Sequence, residues 1–445
     1  MNQIAIGESS NYIILEGQSI TAPYYHAVPI FANSAGESVE EKIEITLKGT
    51  PAQISAALQA LEMKIYHARL YDQKAYPRPQ YIRFQMAPGD PYYYSEISNL
   101  SLVPHPAGYK SRTRGSLAVE LHFTRKNYFD GLQVELPLTG RFGEDLTGGA
   151  PLFNHTDYHT SHGNSVLIKP ADLSSPLPAP LRVELENTSA AGIIKDIYLG
   201  IYHHPTNDEE SPFFYNAPDI SGGSLLMDLN AINETYRRLT WSENDWTAIA
   251  AFTLTLDIVD MLAGHTYRPV IHLFNNHPYP DLTLSFKLQR GTAVIYASDP
   301  VFADTNYGYI FLPPVELPPN QLLRETLPHS MDFVLYGYKT TTGNYTLDID
   351  QVQFFPLDYA ANFIGFFNMS GDDVLIDDSF RGLSNVRYSS AGSETVAHIR
   401  QGGPLLARSN ACNRMFFLMA NTVNAVDIFQ TAALRVYQRE RRRIL

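Results

Sequence analysis

The chain has one cysteine, Cys412, in 445 residues, which excludes an internal disulfide framework and any multi-cysteine zinc or iron–sulfur site. It has no apolar run of about 18 residues, so no segment reads as a membrane-spanning helix. The start, Met1 to Glu8, lacks the basic-then-apolar layout of a secretory signal, and synthesis in a cytoplasm is expected. Charge is scarce, at 18% of residues, and its balance is acidic: 33 Lys and Arg against 46 Asp and Glu leave a net −13. A protein held to nucleic acid by phosphate contacts needs the opposite sign. Also missing are a Gly-x-Ser-x-Gly elbow, a phosphate-binding Gly-x-x-x-x-Gly-Lys loop and a His-Glu-x-x-His helix, so three common routes to hydrolysis have no carrier. No catalytic residue and no cofactor are expected.

What is present is β-forming. Tyr 28 and Phe 23, with short alternating runs between turn residues, predict a mainly β protein, and the length predicts more than one domain. From Lys42 to Lys48 the residues alternate, with Ile43, Ile45 and Leu47 on one face, the period of a half-buried strand. Thr50 is a good N-cap and Pro51 suits the first helical turn. Ile54, Leu58, Leu61, Ile65 and Ala68 then form one apolar stripe, predicting a helix over 51–71. Strands at Tyr81 to Met86, Tyr92 to Val103 and Leu117 to Phe123 supply the sheet on which that helix must lie.

These patterns predict a first β domain with one packed helix over 1–145 and a jelly-roll β-sandwich over 146–358. Strands over 359–445 follow, and Met415 to Met419 and Leu434 to Tyr437 are candidates to return to the first domain.

The first domain resembles the β-sandwich-with-helix unit of bacteriophage tail tube proteins and of the distal tail proteins of long-tailed, siphovirus-like phages. The resemblance is carried by the strand Ile43 to Leu47, the helix from Pro51, the strand Leu117 to Phe123 and the phrase Phe123-Thr124-Arg125-Lys126-Asn127-Tyr128-Phe129. The phrase Asn413-Arg414-Met415-Phe416-Phe417-Leu418, with Arg439 to Arg443 after it, is similar to the way distal tail proteins finish. The middle segment, closing on Tyr345 to Val352, resembles a carbohydrate-binding jelly roll, though no sugar-binding motif can be placed on it.

The resemblance implies a virion structural protein, not an enzyme, whose copies pair their sheets in stacked rings to build a tail tube. The alternatives are a distal tail or baseplate adaptor carrying a carbohydrate-binding domain, and a stand-alone glycan-binding or glycan-cleaving protein. Implied partners are further copies, other tail proteins and, for the sandwich, cell-surface glycans. DNA would be only passing cargo in a lumen, and no membrane insertion is expected.

Several residue groups are candidates for contacts. Ile43, Ile45 and Leu47, with the basic tail Arg435, Arg439, Arg441, Arg442 and Arg443, are the candidate subunit interface, the tail because an acidic protein offers it partners on a second copy. Trp241 and Trp246 are candidate platforms for sugar rings, as are Tyr92 to Tyr94, with core packing the competing reading. His155, His159 and His162, close in sequence with Asp157, have the chemistry of a zinc site but no helix to fix their spacing, so a polar loop is the plainer reading. His203 and His204, followed by Asn207 to Glu210, are read as a solvated connection rather than a cation site, and the pairs Asp372-Asp373 and Asp377-Asp378 lack the oxygen-ligand spacing and glycine of a calcium loop.

Overall fold

The computed structural model describes residues 3–8, 11–15, 24–26, 38–73, 75–76, 78–85, 89–104, 115–140, 142–149, 151–157, 163–188, 194, 196–206, 211–275, 277, 279–303, 308–317, 330–363, 369–379, 385–390, 393–396, 400–420 and 431–443. The protein is mainly β, with two α-helices among the described residues, Pro51–Asp72 and Leu256–Leu262. It divides into two compact units. The first holds Met1–Val134, Ser175–Ala179 and Arg439–Leu445; the second holds Glu135–Ser174 and Pro180–Gln438.

In the first unit the helix starts where the sequence places it. Thr50 and Gln53 close a capping box, the Gln53 amide donating to Thr50 Oγ1 at 3.3 Å and the Thr50 amide to Gln53 Oε1 at 2.8 Å. Ile54, Ala57, Leu61, Ile65 and Ala68 are buried, and Lys64 joins that face because its ammonium reaches the Asn11 carbonyl at 2.7 Å. The helix lies over strands Ser38–Lys48, Gln80–Gln85 and Tyr93–Pro104. Antiparallel pairing runs from Tyr24–His26 through Ser38–Lys48, Ser116–Lys126, Tyr93–Pro104, Gln80–Gln85 and Gln3–Gly7 to Tyr12–Ile14. Ile43 faces Leu121, Ile45 faces Val119 and Leu47 faces Leu117 in register, so one face of the pair is continuously apolar.

The second unit has two cores that share a sheet. That sheet orders strands Ser165–Ile168, Cys412–Ala420, Asp196–His204, Tyr359–Phe363 and Arg400–Gly402. On one side Met415, Phe417, Met419, Ile197 and Leu199 pack with Val183, Leu185, Leu434 and Val436. On the other side Phe416 and Leu418 enter the core of a sandwich. The apolar run Met415 to Met419 has no polar alternation because both of its faces are buried.

The sandwich leaves the shared sheet after His204 and returns at Tyr359, where strands Asp196–His204 and Tyr359–Phe363 pair antiparallel. One of its sheets orders Ser224–Met227, Thr235–Trp241, Tyr345–Pro356, Thr266–Asn275 and Tyr309–Phe311; the other orders Thr247–Leu254, Met331–Tyr338, Thr283–Arg290 and Ala293–Ala297. Between them runs a column of stacked rings. Tyr215 and Phe252 are 4.1 Å apart, Phe252 and Phe333 4.7 Å, and Phe333 and Phe286 4.6 Å. Gly200 is fixed by close approach, since a Cβ there would stand 2.4 Å from the Pro356 carbonyl oxygen.

The boundaries drawn from sequence differ from these units. Strands Ser165–Ile168 and Ala179–Asn187 pair with Cys412–Ala420 and Thr431–Arg442, not with the sandwich. Of the C-terminal stretch, only Arg439–Leu445 belongs to the first unit. The physical reason is long-range pairing: each strand's partner lies more than 200 residues away, where no local pattern points.

Candidate functional site

The apolar members of the candidate interface are core residues. Ile43, Ile45 and Leu47 are each 1% exposed and pack beneath the helix, so their side chains are spent inside the first unit and offer nothing to a second copy. The alternation that singled them out marks an inward face, which is the ordinary meaning of that period.

The basic tail is also largely used within the chain. In the second unit Arg435 stands 3.4 Å from Glu186. In the first, Arg441 forks onto Asp130, with Nε 2.7 Å and one terminal nitrogen 3.2 Å from its two carboxylate oxygens, above the Tyr128 ring at 3.5 Å. Its amide donates to Ser175 Oγ at 3.0 Å. Arg442 pairs with Glu440, whose other oxygen accepts the Tyr93 hydroxyl at 3.0 Å. Arg439 is half-buried and Arg443 is exposed at the strand end. The acidic partners that were expected on a neighbour are therefore supplied in part by Asp130, Glu186 and Glu440, which no local signal identified.

The two tryptophans separate. Trp241 is 5% exposed, with its ring against Tyr345 and Gly337, and so is no platform for a sugar. Trp246 is 40% exposed and stacks on Tyr338 at 5.3 Å. The tyrosines Tyr92 and Tyr94 surround Arg83, whose guanidinium lies 4.4 Å and 4.9 Å from their rings and 3.7 Å from Tyr12.

His155 is buried, while His159 and His162 lie outside the described residues. Among the described residues no group of three or more His, Cys, Asp or Glu side chains is placed to hold a metal ion. His203 is a core residue whose ring nitrogen meets the Leu406 carbonyl at 2.8 Å, and burial pulls its pKa down to about 4. Asp373 accepts the Ser370 amide at 2.7 Å and Asp377 lies 3.4 Å from the Ser379 hydroxyl, so these acids shape turns and strand ends.

One concave site stands out in the second unit, a cleft of about 630 Å³ at an end of the sandwich. It lies where the segment Phe214–Asn216, the strands Thr247–Leu254 and Met331–Tyr338 and the short helix Leu256–Leu262 meet. Phe214, Tyr215, Phe252 and Ile258 give it an apolar wall, and Asp219 and Asp332 give it acidic groups. The Tyr215 hydroxyl is buried without a hydrogen-bond partner, and burial, with the nearby Asp219 charge, pushes its pKa up. Sequence reasoning missed this cleft because its residues come from three separate stretches, 211–221, 251–258 and Asp332, with no shared motif.

No family model matches the chain, and no curated protein matches its sequence. Among solved structures, a chain of the phage P2 baseplate in its activated conformation with calcium is similar over 100% of both chains, at 7% identity and a TM-score of 0.29. An exo-β-1,3-galactanase from Phanerochaete chrysosporium is similar over 73% of this chain and 84% of its own, at 12% identity and a TM-score of 0.19. A putative secreted protein from Parabacteroides distasonis, at 10% identity, covers 54% of this chain and 99% of its own with a TM-score of 0.17. Likenesses at these TM-scores carry no argument about fold or activity.

Proposed function

We propose that the protein is a virion structural subunit of a long-tailed phage, a tail tube protein whose first unit joins its sheet to those of neighbouring copies in stacked rings. The observation that carries the reading is the order of the first unit: a long strand, a capped helix laid across the sheet, then four strands, with a core of their own. This is the order on which the resemblance to tail tube and distal tail proteins rests. With Ile43, Ile45 and Leu47 inside, the apolar contact passes to Leu132 and Val134, which alternate on strand Phe129–Glu135 and are 54% and 60% exposed. Burying them between copies removes apolar area from water at every contact of a ring.

A position at the distal end of the tail is the alternative, since the same unit serves there. Sedimentation of the wild type beside a Leu132→Glu, Val134→Glu double variant tests the contact. Loss of assembly in a variant that keeps its β-sheet circular dichroism supports it; assembly of both to the same extent refutes it.

A further inference from the structure

The helix Pro51–Asp72 carries apolar side chains on two opposite faces, and the first unit covers one of them. Ile54, Ala57, Leu61, Ile65 and Ala68 lie in the core. Across the helix from them Ala52, Ala56, Gln59, Met63 and Tyr66 follow at spacings of 4, 3, 4 and 3, and all five are exposed. Met63 is 52% and Tyr66 56% exposed. A helix that only shields a sheet turns a charged and polar face to water. Alternating steps of 4 and 3 are instead the seam along which one helix packs on another. Beside the stripe stand two charges, Glu62 and Arg69, both exposed and neither in an ion pair among the described residues.

Those two charges select what covers the stripe. They border the same side of it, seven residues or about 10 Å apart along the helix, too far to pair with each other. When two copies of the helix lie antiparallel about a two-fold axis between Met63 and Tyr66, Met63 of each copy packs on Tyr66 of the other. The same placement sets Glu62 of each copy beside Arg69 of the other, so one contact closes two ion pairs. Parallel copies make no such match, because residues at equal height are then identical and Glu62 stands two turns from Arg69.

We propose that the outer face of the helix Pro51–Asp72 is a self-association surface, on which a second copy of this chain lays the same helix antiparallel. Met63 and Tyr66 form its centre, and the reciprocal Glu62 and Arg69 pairs fix its register. The contact is isologous, so it is distinct from strand pairing around a ring and does not depend on it. One helix pair buries less than the roughly 1,200 Å² at which stable interfaces begin, so the dimer forms only as concentration rises.

Two experiments on the full chain test this. In a Cys412→Ser background, mild oxidation of Met63→Cys is expected to give a covalent dimer, since the two-fold axis leaves the two copies of that position only about 4.5 Å apart along the helix. Ala52→Cys is expected to give none, its two copies being more than about 35 Å apart. Sedimentation equilibrium at low salt is run in the Leu132→Glu, Val134→Glu background, so that ring assembly does not mask the dimer. Glu62→Arg and Arg69→Glu should each weaken dimerisation about tenfold or more at unchanged thermal midpoint, and the two together should restore it. The proposal is overturned if Met63→Cys gives no covalent dimer, if Ala52→Cys gives one as readily, or if the single charge variants associate as their parent does. Absence of any concentration-dependent association in that background also overturns it.

Discussion

Arg441 and Asp130 are joined by two hydrogen bonds, 2.7 and 3.2 Å long, 311 residues apart in sequence and both inside the first unit. Each side chain is 12% exposed, so the pair sits mostly out of water. Arg441, near the end of strand Thr431–Arg442, is thus held within the first unit by charge, planarity and the ring of Tyr128 together.

Removing one partner leaves the other charge poorly solvated. Arg441→Ala is expected to cost about 3 kcal/mol, the size typical of breaking a buried pair, while Arg443→Ala, at an exposed position, should cost under about 0.5 kcal/mol. Urea unfolding followed by tyrosine fluorescence checks the contrast. Equal effects would mean that the pair adds nothing to the fold.

Asp350 gives the second unit an unusual pH dependence. It is 1% exposed, accepts the Ile232 amide at 3.0 Å, and is pushed up to about 8 by burial and by the Asp157 and Asp228 charges. Its unfolded pKa is near 4, so between about 4 and about 8 unfolding releases a proton and stability falls as pH rises. His272, held down to about 3 chiefly by burial, acts with the opposite sign: unfolding takes up a proton below about 6.5, and stability falls as pH drops through that range. Asp350→Asn should therefore gain stability that grows from pH 4 to pH 8, by roughly 2 to 5 kcal/mol at the upper end. His272→Gln should flatten the acid limb instead. Thermal midpoints taken across pH for the three proteins decide it, and parallel curves would contradict the assignment.

Lys339 is wholly buried, and its ammonium shares its three N–H groups among four oxygens within hydrogen-bond distance: the carbonyls of Ser242, Thr341 and Gly343 at 2.9, 3.0 and 2.6 Å, and Asn244 Oδ1 at 2.8 Å. It ties the loop after strand Thr235–Trp241 to the turn before strand Tyr345–Pro356. Lys339→Met fills similar space but abandons those acceptors, and a loss of about 3 kcal/mol or more is expected. Limited proteolysis should then find new cuts near residues 242–244 and 340–343; an unchanged digest would show that the ammonium is not what holds these loops.

Trp241 and Trp246 differ in consequence as they differ in burial. Trp241→Ala empties a packed site beside Gly337 and should cost about 3 to 5 kcal/mol, whereas Trp246→Ala removes one half-exposed stack and should cost about 1 kcal/mol or less. Chemical denaturation of the two variants measures the difference, and similar losses would contradict their assigned places.

The strand Lys42 to Lys48 and the helix from Pro51 were legible because local signals agree there: alternation, an N-cap, a proline at the first turn and a stripe of one period. The strand Cys412–Ala420 was legible as apolar but not as shared between two cores, since burial on both faces erases the alternation that tells a reader which way side chains point. The same ambiguity made Ile43, Ile45 and Leu47 into interface candidates, because an apolar face looks alike whether a helix or a second subunit covers it. The partners of the basic tail, Asp130 and Glu186, are far away in sequence, and the cleft draws Tyr215, Thr255 and Asp332 from segments more than 30 residues apart. Pairing at that range leaves no mark in a single sequence.

The central claim is assembly, and negative-stain electron microscopy of the purified full chain, with mass measured in solution across concentration, tests it most directly. The account predicts rings, and stacked rings or tubes as concentration rises. A monomer at every concentration would contradict it.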